Sequence, residues 1–234
     1  MRNARKNSPP PARRGENKER PLRDIVRDFL FERAAAADYE NAPVTEVEIA
    51  QRLRLSRTPA RKALIELERE GLITRRKKKG IFLRRPALKE IAEIYDVRSV
   101  FEGFAARIAA EKIDAQYLEQ LDVLLEKLRQ GFASKDILIC AEADMEFHGI
   151  IIALADNSIL SELAERLNVL ERSFFLFQDP RNMPSDDNPY SHKAILEALR
   201  GRKPDDAEQL VRQHIQWAKK RIVEEALEIK LDRF

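Results

Sequence analysis

A proline at position 59 stands just inside a run that otherwise reads as helix, and it dictates where that helix begins. Proline lacks the backbone N–H and its ring clashes with the preceding turn, so it is tolerated only in a first turn. The helix must therefore open near Ser56 to Thr58, either of which can cap it. Ala60, Ala63, Leu64 and Leu67 form its inner face, and Gly71 stands where a C-terminal stop is expected. Upstream, Thr45 followed three residues on by Glu48 is a capping-box pattern. It opens a helix whose apolar side is Ile49, Ala50 and Leu53. Only Leu55 and Ser56 remain for a turn between these two helices. Leu22, Ile25, Val26, Phe29 and Leu30 give an earlier amphipathic helix. Downstream, LITRR, KKKG and IFLRR read as two short strands around a basic turn ending at Gly80. Helix, helix, short turn, helix and two-stranded wing make a winged helix-turn-helix.

After Arg84-Arg85-Pro86 the pattern is helical throughout, with helices expected over 88–113, 115–131, 135–155, 159–177, 190–200 and 205–231. Asp114, Ser134 and Ser158 are the candidate caps, Asn188 before Pro189 is a start signal, and Gly201 is a stop. The fold class is mainly α: a winged helix-turn-helix of three helices and a two-stranded wing, then an all-α antiparallel helical bundle. The division expected is a basic disordered tail over 1–20, with little to bury, a DNA-binding domain over 21–84, a linker over 85–88, and a ligand-binding and dimerisation domain over 89–234.

The net charge of +3 conceals a split. Residues 1–85 carry 23 Lys and Arg against 12 Asp and Glu, and the remainder carries 20 against 28. A basic front suits a polyanion, although a solvated basic tail on an ordinary domain gives the same count. Cys140 is the sole cysteine, which excludes an intramolecular disulfide, and it is expected to be a small apolar core residue. Trp217 is expected to pack. No apolar run reaches the roughly 18 residues of a membrane span, and the first residues lack the apolar core of a secretory signal. A cytoplasmic location and no membrane partner are the expectations.

In a winged helix-turn-helix the start of the second motif helix enters the major groove. Here that start reads Ser56-Arg57-Thr58-Pro59-Ala60-Arg61-Lys62. Arg57 and Arg61 are four apart and share a face, and Arg pairs in bidentate fashion with guanine O6 and N7. Ser56, Thr58 and the helix N-terminus suit phosphates. Lys77, Lys78 and Lys79 lie at the wing tip, able to follow the backbone or enter the minor groove. The stretch from Val44 to Ile73, with its S-R-T-P-A-R run, E-G-L-I and a basic wing with glycine, resembles the DNA-binding domain of the GntR family. The resemblance implies that Arg57, Thr58 and Arg61 contact DNA and that Gly80 is the wing glycine. Two positions depart from it. Val47 stands where many members carry a basic contact, and the Pro-Gly that usually precedes the second helix is replaced around Glu40-Asn41.

All three histidines, His148, His192 and His214, fall in the acidic half. Asp144 precedes His148 by four residues, so the two share a helix face. With the two later histidines they can supply three nitrogens and one oxygen to Zn²⁺ or another late first-row ion. Three unrelated histidines on helix surfaces fit the spacing as well. The segments D-V-R at Asp96–Arg98, F-E-G-F-A-A-R from Phe101, A-D-M-E-F-H from Ala143, A-L-A-D-N from Ala153 and H-K-A-I-L-E-A-L-R-G from His192 resemble the ligand-binding domain of the FadR branch, the FCD domain. The helix count is similar to its shorter, VanR-like form. That resemblance implies that Asp144, His148, His192 and His214 hold one divalent metal per chain, zinc foremost, with nickel or manganese as alternatives. It also implies that Arg98 faces the effector; an interhelical salt bridge is the other role open to it. Arg172 is a second candidate facing inward, and Asn157 reads as a helix-end residue. One carboxylate and three neutral imidazoles leave a bound divalent ion with about one positive charge, and Arg98 adds another, which favours a small carboxylate effector. The function expected is that of a regulator, foremost a repressor, that binds an inverted-repeat operator on double-stranded DNA as a homodimer. A sensor of the metal itself and a metal-dependent hydrolase are the alternatives.

Overall fold

Local capping and turn chemistry set the first unit. The structure, a computed structural model, describes residues 20–36, 43–77, 79–176 and 190–231. The tail expected over 1–20 therefore lies outside the described residues except for Arg20, as do Lys78, Asn188 and Pro189. Helix α1 covers Leu22–Ala36, α2 Glu46–Arg52 and α3 Arg57–Arg69. The Thr45 hydroxyl accepts from the Glu48 N–H at 3.1 Å, which caps α2. Ser56 takes the extended N-cap conformation of α3, but its hydroxyl makes no capping bond. Pro59 falls in the first turn of α3, where its missing N–H costs nothing.

Helix α3 ends in a full Schellman motif. Gly71 takes φ +75, the Gly71 N–H reaches Glu68 O and the Leu72 N–H reaches Leu67 O, both at 3.0 Å. The chain then enters β1, Ile73–Arg76, which pairs antiparallel with β2, Gly80–Leu83, from Ile73↔Leu83 to Arg76↔Gly80. Val44 adds a bridge to Ile81 on the other side, so the approach to α2 is stitched to the wing. Gly80 is required there: at φ +104, an added Cβ would lie 2.9 Å from the Pro43 ring. Val26, Leu30, Phe31, Ile49, Leu64 and Leu67 close a core between α1, α2, α3 and the wing.

The second unit is helical among the described residues: α4 Leu88–Lys112, α5 Ala115–Ser134, α6 Ile137–Leu154, α7 Ser158–Phe175, α8 His192–Arg200 and α9 Pro204–Leu231. Helix α4 runs through the middle, packing along α9 and also against α6, α7 and α8. Its small residues Ala105, Ala106, Ala109 and Ala110 are buried and let these neighbours approach. Cys140 is buried in the same core. None of these helices is long and apolar enough to cross a membrane.

Two caps differ from the sequence expectation. Ser134 closes α5, its hydroxyl donating to Gln130 O, and Asp136 caps α6 by accepting from the Leu138 and Ile139 N–H groups at 3.1 Å each. Lys135 turns the chain between them at φ 55. One residue before Ser158, the Asn157 side chain accepts from Ile159 and Leu160. In both cases a carboxylate or amide oxygen one or two residues from the serine reaches the orphan N–H groups instead. Asp114 caps α5 as expected, accepting from the Tyr117 N–H.

The two units meet along α7. Val169 of α7 and Leu176, its C-cap, pack against the first core. Arg84 joins the units: its guanidinium bonds Gly71 O and forks onto Glu90 at 2.6 and 2.7 Å.

Candidate nucleic-acid interface and metal centre

Ser56, Arg57, Thr58, Arg61 and Lys62 are all exposed at the start of α3. Arg57 and Arg61 make no ion pair with any described residue. The two wing arginines, by contrast, are engaged: Arg75 pairs with Glu68 at 2.9 Å, and Arg76 lies 4.5 Å over the Phe82 ring. The distinction is physical, since a paired guanidinium must lose its partner before it can bind a base edge and an unpaired one need not. The free hydroxyl of Ser56 and the uncapped start of α3 leave N–H donors for a phosphate. Lys77 and Lys79 are exposed on the wing beside Gly80. Val47, where the family resemblance expects a basic contact, is an exposed valine.

In the bundle, α6, α8 and α9 bring Asp144, His148, His192 and His214 together, one ligand atom from each lying within 4.8 Å of the others. His192 Nε2 is 2.9 Å from Asp144 Oδ1, and His148 Nε2 is 3.9 Å from the same oxygen. The three rings are mutual neighbours, with centroids 4.3 to 5.5 Å apart. All three are buried.

The donor set fits a metal. Bonds of about 2.1 Å place neighbouring donors about 3.4 Å apart on a tetrahedral ion and opposed donors about 4.2 Å apart on a six-coordinate one, so the cluster must close by roughly half to one and a half ångström around an ion. His148 Nε2 is buried with no hydrogen-bond partner among the described residues. His214 Nδ1 lies 2.9 Å from Tyr190 O. A carbonyl only accepts, so Nδ1 carries the proton and Nε2 keeps its lone pair for a ligand bond. Burial, then the neighbouring His192 and His148, push His214 well below its ordinary pKa, which keeps it neutral. Burial alone would raise Asp144, but the His192 hydrogen bond and the His148, His192 and Arg98 charges hold it far below the carboxylate range.

Behind the cluster lies a buried charged network. His148 Nδ1 is 2.7 Å from Glu102 Oε2, and Arg98 Nε donates to Glu102 Oε1 at 2.6 Å. Arg98 also donates to Glu171 Oε1, as does the Tyr95 hydroxyl. Arg98, Glu102 and Glu171 are 3%, 1% and 0% exposed. Burial favours the neutral form of Glu102, but Arg98 and His148 outweigh it and lower its pKa; for Glu171 burial prevails and raises it. Arg98 is thus held by two carboxylates, one of which, Glu102, adjoins His148 of the cluster. Arg98 is therefore not the free second cation that the sequence suggested.

Arg172 is not brought to this cluster. Its guanidinium lies 4.8 Å over the Phe31 ring and 3.6 Å from Glu142. Successive residues of a helix are about 100° apart, and on α7 the inward position belongs to Glu171. Tyr95, Glu102 and Glu171 were not picked out from the sequence. The spacing of Arg98 and Glu102, four apart on one helix, was the available signal; nothing local pointed to Glu171.

An unpaired basic reader helix with a wing, joined to a bundle enclosing a buried polar cluster, defines a two-part DNA-binding regulator. Residues 40–83 match the family described as bacterial regulatory proteins, gntR family, and residues 93–216 match the FCD domain. The chain is 32% identical over 81% of its length, and 84% of the relative's, to the "Probable D-xylose utilization operon transcriptional repressor" of Paenarthrobacter nicotinovorans. It is 31% identical to the Nta operon transcriptional regulator of Aminobacter aminovorans, over 74% of this chain and 80% of that one. Its fold is similar to that of the solved structure of E. coli McbR/YncC, with a TM-score of 0.71 at 21% identity over 88% of this chain and 98% of that one. The chain belongs to the GntR family, in the group with an FCD domain. It is a transcriptional regulator, not an enzyme, and the hydrolase alternative falls with that.

Proposed function

We propose that this regulator is a homodimeric repressor whose operator binding is controlled by a small carboxylate bound beside a divalent metal in the helical bundle. The observation that carries this reading is the buried Asp144, His148, His192 and His214 cluster, with His148 Nε2 lacking a hydrogen-bond partner among the described residues. Three imidazoles favour a late transition ion, zinc foremost, over Mg²⁺ or Ca²⁺. Tyr190 O orients His214 for ligation, and Glu102 stands behind His148 in the manner of outer-shell carboxylates. When bound, the ion supplies a Lewis-acidic centre for an oxygen ligand. Arg98, paired with Glu102 and Glu171, supplies the guanidinium fork for a carboxylate by exchanging one of these partners.

On the DNA side, Arg57 and Arg61 read base edges, while Ser56, Thr58, Lys77, Lys78 and Lys79 hold the backbone, with Gly80 shaping the wing. Residues 21–84 act as the reader domain and 89–234 as the sensor, joined by 85–88. One of the named relatives is described as a probable repressor, which supports that sign of regulation. A second copy is supported by an apolar stripe on α4: Val97, Val100 and Phe104 share one helix face and are each about half exposed. Light scattering should report a dimer for the natural chain and a monomer for Val100→Lys.

The test of the metal is elemental analysis. The native protein should hold one divalent ion per chain and His148→Ala should hold none. A native protein that resists loading with Zn²⁺, Ni²⁺ and Mn²⁺ removes the site.

A further inference from the structure

Three consecutive residues of α7 face three parts of the molecule. Glu171 turns into the bundle, where Arg98 and Tyr95 both donate to its Oε1. Arg172 turns to the reader unit and stacks over Phe31. Ser173, fully buried, donates its hydroxyl to the Arg84 carbonyl at 2.5 Å. Arg84 is the residue whose guanidinium grips both Gly71 at the end of α3 and Glu90 at the start of α4. One turn of α7 therefore connects the interior of the sensor to the hinge and to α1.

The hold on Glu171 is one-sided. Both donors converge on Oε1, and Oε2 is buried with no hydrogen-bond partner among the described residues. A carboxylate arriving at Arg98 can take the guanidinium in a bidentate fork, a stronger arrangement than the single contact Glu171 makes. It cannot join the site as it stands, because Glu102 and Glu171 already occupy the Arg98 donors, and a further buried carboxylate there would lack a partner.

We propose that Glu171 occupies the effector carboxylate's place on Arg98, and that its displacement loosens the Arg172 and Ser173 contacts that hold the reader domain. Glu171 is then a positioning residue: it fixes α7, and α7 fixes the linker. The inference rests on the reading of Arg98 as the effector's anchor. A ligand can bias such a two-state element only through different contacts in its two states, and the exchange of Glu171 for the ligand at Arg98 is such a difference.

The test is hydrogen–deuterium exchange of the full chain without added acid. Glu171→Gln keeps the side-chain shape and removes the charge that Arg98 holds. Peptides covering 22–31 and 84–90 should exchange about ten-fold faster than in the natural protein, while those of α5 stay as they were. General destabilisation would instead speed exchange throughout. In a Ser173→Ala background the same substitution should add little at 84–90, because the connection is already cut. If Glu171→Gln does not fold, Tyr95→Phe, which removes one of the two donors to Oε1, should give the same pattern more weakly. A folded variant with unchanged exchange at 22–31 and 84–90, or effects of Glu171→Gln and Ser173→Ala that simply add, overturns the proposal. Since no arm uses metal or acid, that outcome leaves the metal reading standing, and a failed metal site leaves this connection standing.

Discussion

The two halves of the molecule use charge in opposite ways. In the reader unit, Arg57, Arg61, Lys77 and Lys79 stand exposed, and the two reader arginines have no acidic partner among the described residues. In the bundle, Arg98, Glu102 and Glu171 are buried and paired, next to three buried histidines. Exposed charge costs little to maintain and is available to a polyanion. Buried charge is tolerated only with partners, so each member of such a network is tied to the others. The first half presents its charge to a partner outside it; on the proposed reading, the second registers a ligand admitted to its interior.

The largest effect that separates the halves is on stability. Arg98→Met should destabilise the bundle by about 3–5 kcal/mol, because it strands two buried carboxylates. Arg57→Ala should change stability by no more than about 0.5 kcal/mol. Urea unfolding checks both, and similar values for the two substitutions would break the comparison.

Next is operator binding. Arg57→Ala and Arg61→Ala should each weaken it by about 1–3 kcal/mol and relax base preference. Lys77→Ala should weaken all sequences alike and lower the salt slope by about one. If Arg57→Ala costs as much on random DNA as on operator, Arg57 holds phosphate rather than reading a base.

The smallest effect lies at the junction. The Arg84 hydrogen bond lowers the Glu90 carboxyl below its ordinary value, against a smaller opposing effect of burial. A depressed acid contributes stability that is present above the unfolded-state pKa and lost as pH falls through the folded one. Comparing Glu90→Gln with the natural chain, the stability gap should be constant above pH of about 5 and close on acidification. A gap independent of pH would assign Glu90 a packing role alone.

The legibility of the two halves differs for the same reason as their charge. The reader unit is held by local chemistry: the Thr45 cap, Pro59 in a first turn, Gly71 in a left-handed stop and Gly80 in the wing are each visible within a few residues. The helices of the bundle were legible in the same way, to within about three residues at their ends. The polar network was not. Tyr95, Arg98 and Glu171 are assembled across more than seventy residues, and helix periodicity cannot say which of Glu171 and Arg172 turns inward when the helix carries partners on several faces. The histidines were few enough to be singled out, but their convergence followed from a family resemblance, not from spacing.

The central claim is that the buried cluster in the bundle governs the basic surface of the reader. Fluorescence anisotropy of a labelled operator duplex tests it, with a panel of small organic acids titrated into complexes of metal-loaded protein, chelator-stripped protein and His148→Ala. The account predicts that at least one acid releases operator from the metal-loaded protein and that the same acid acts weakly or not at all on the other two. An acid that releases operator equally well from all three would contradict it.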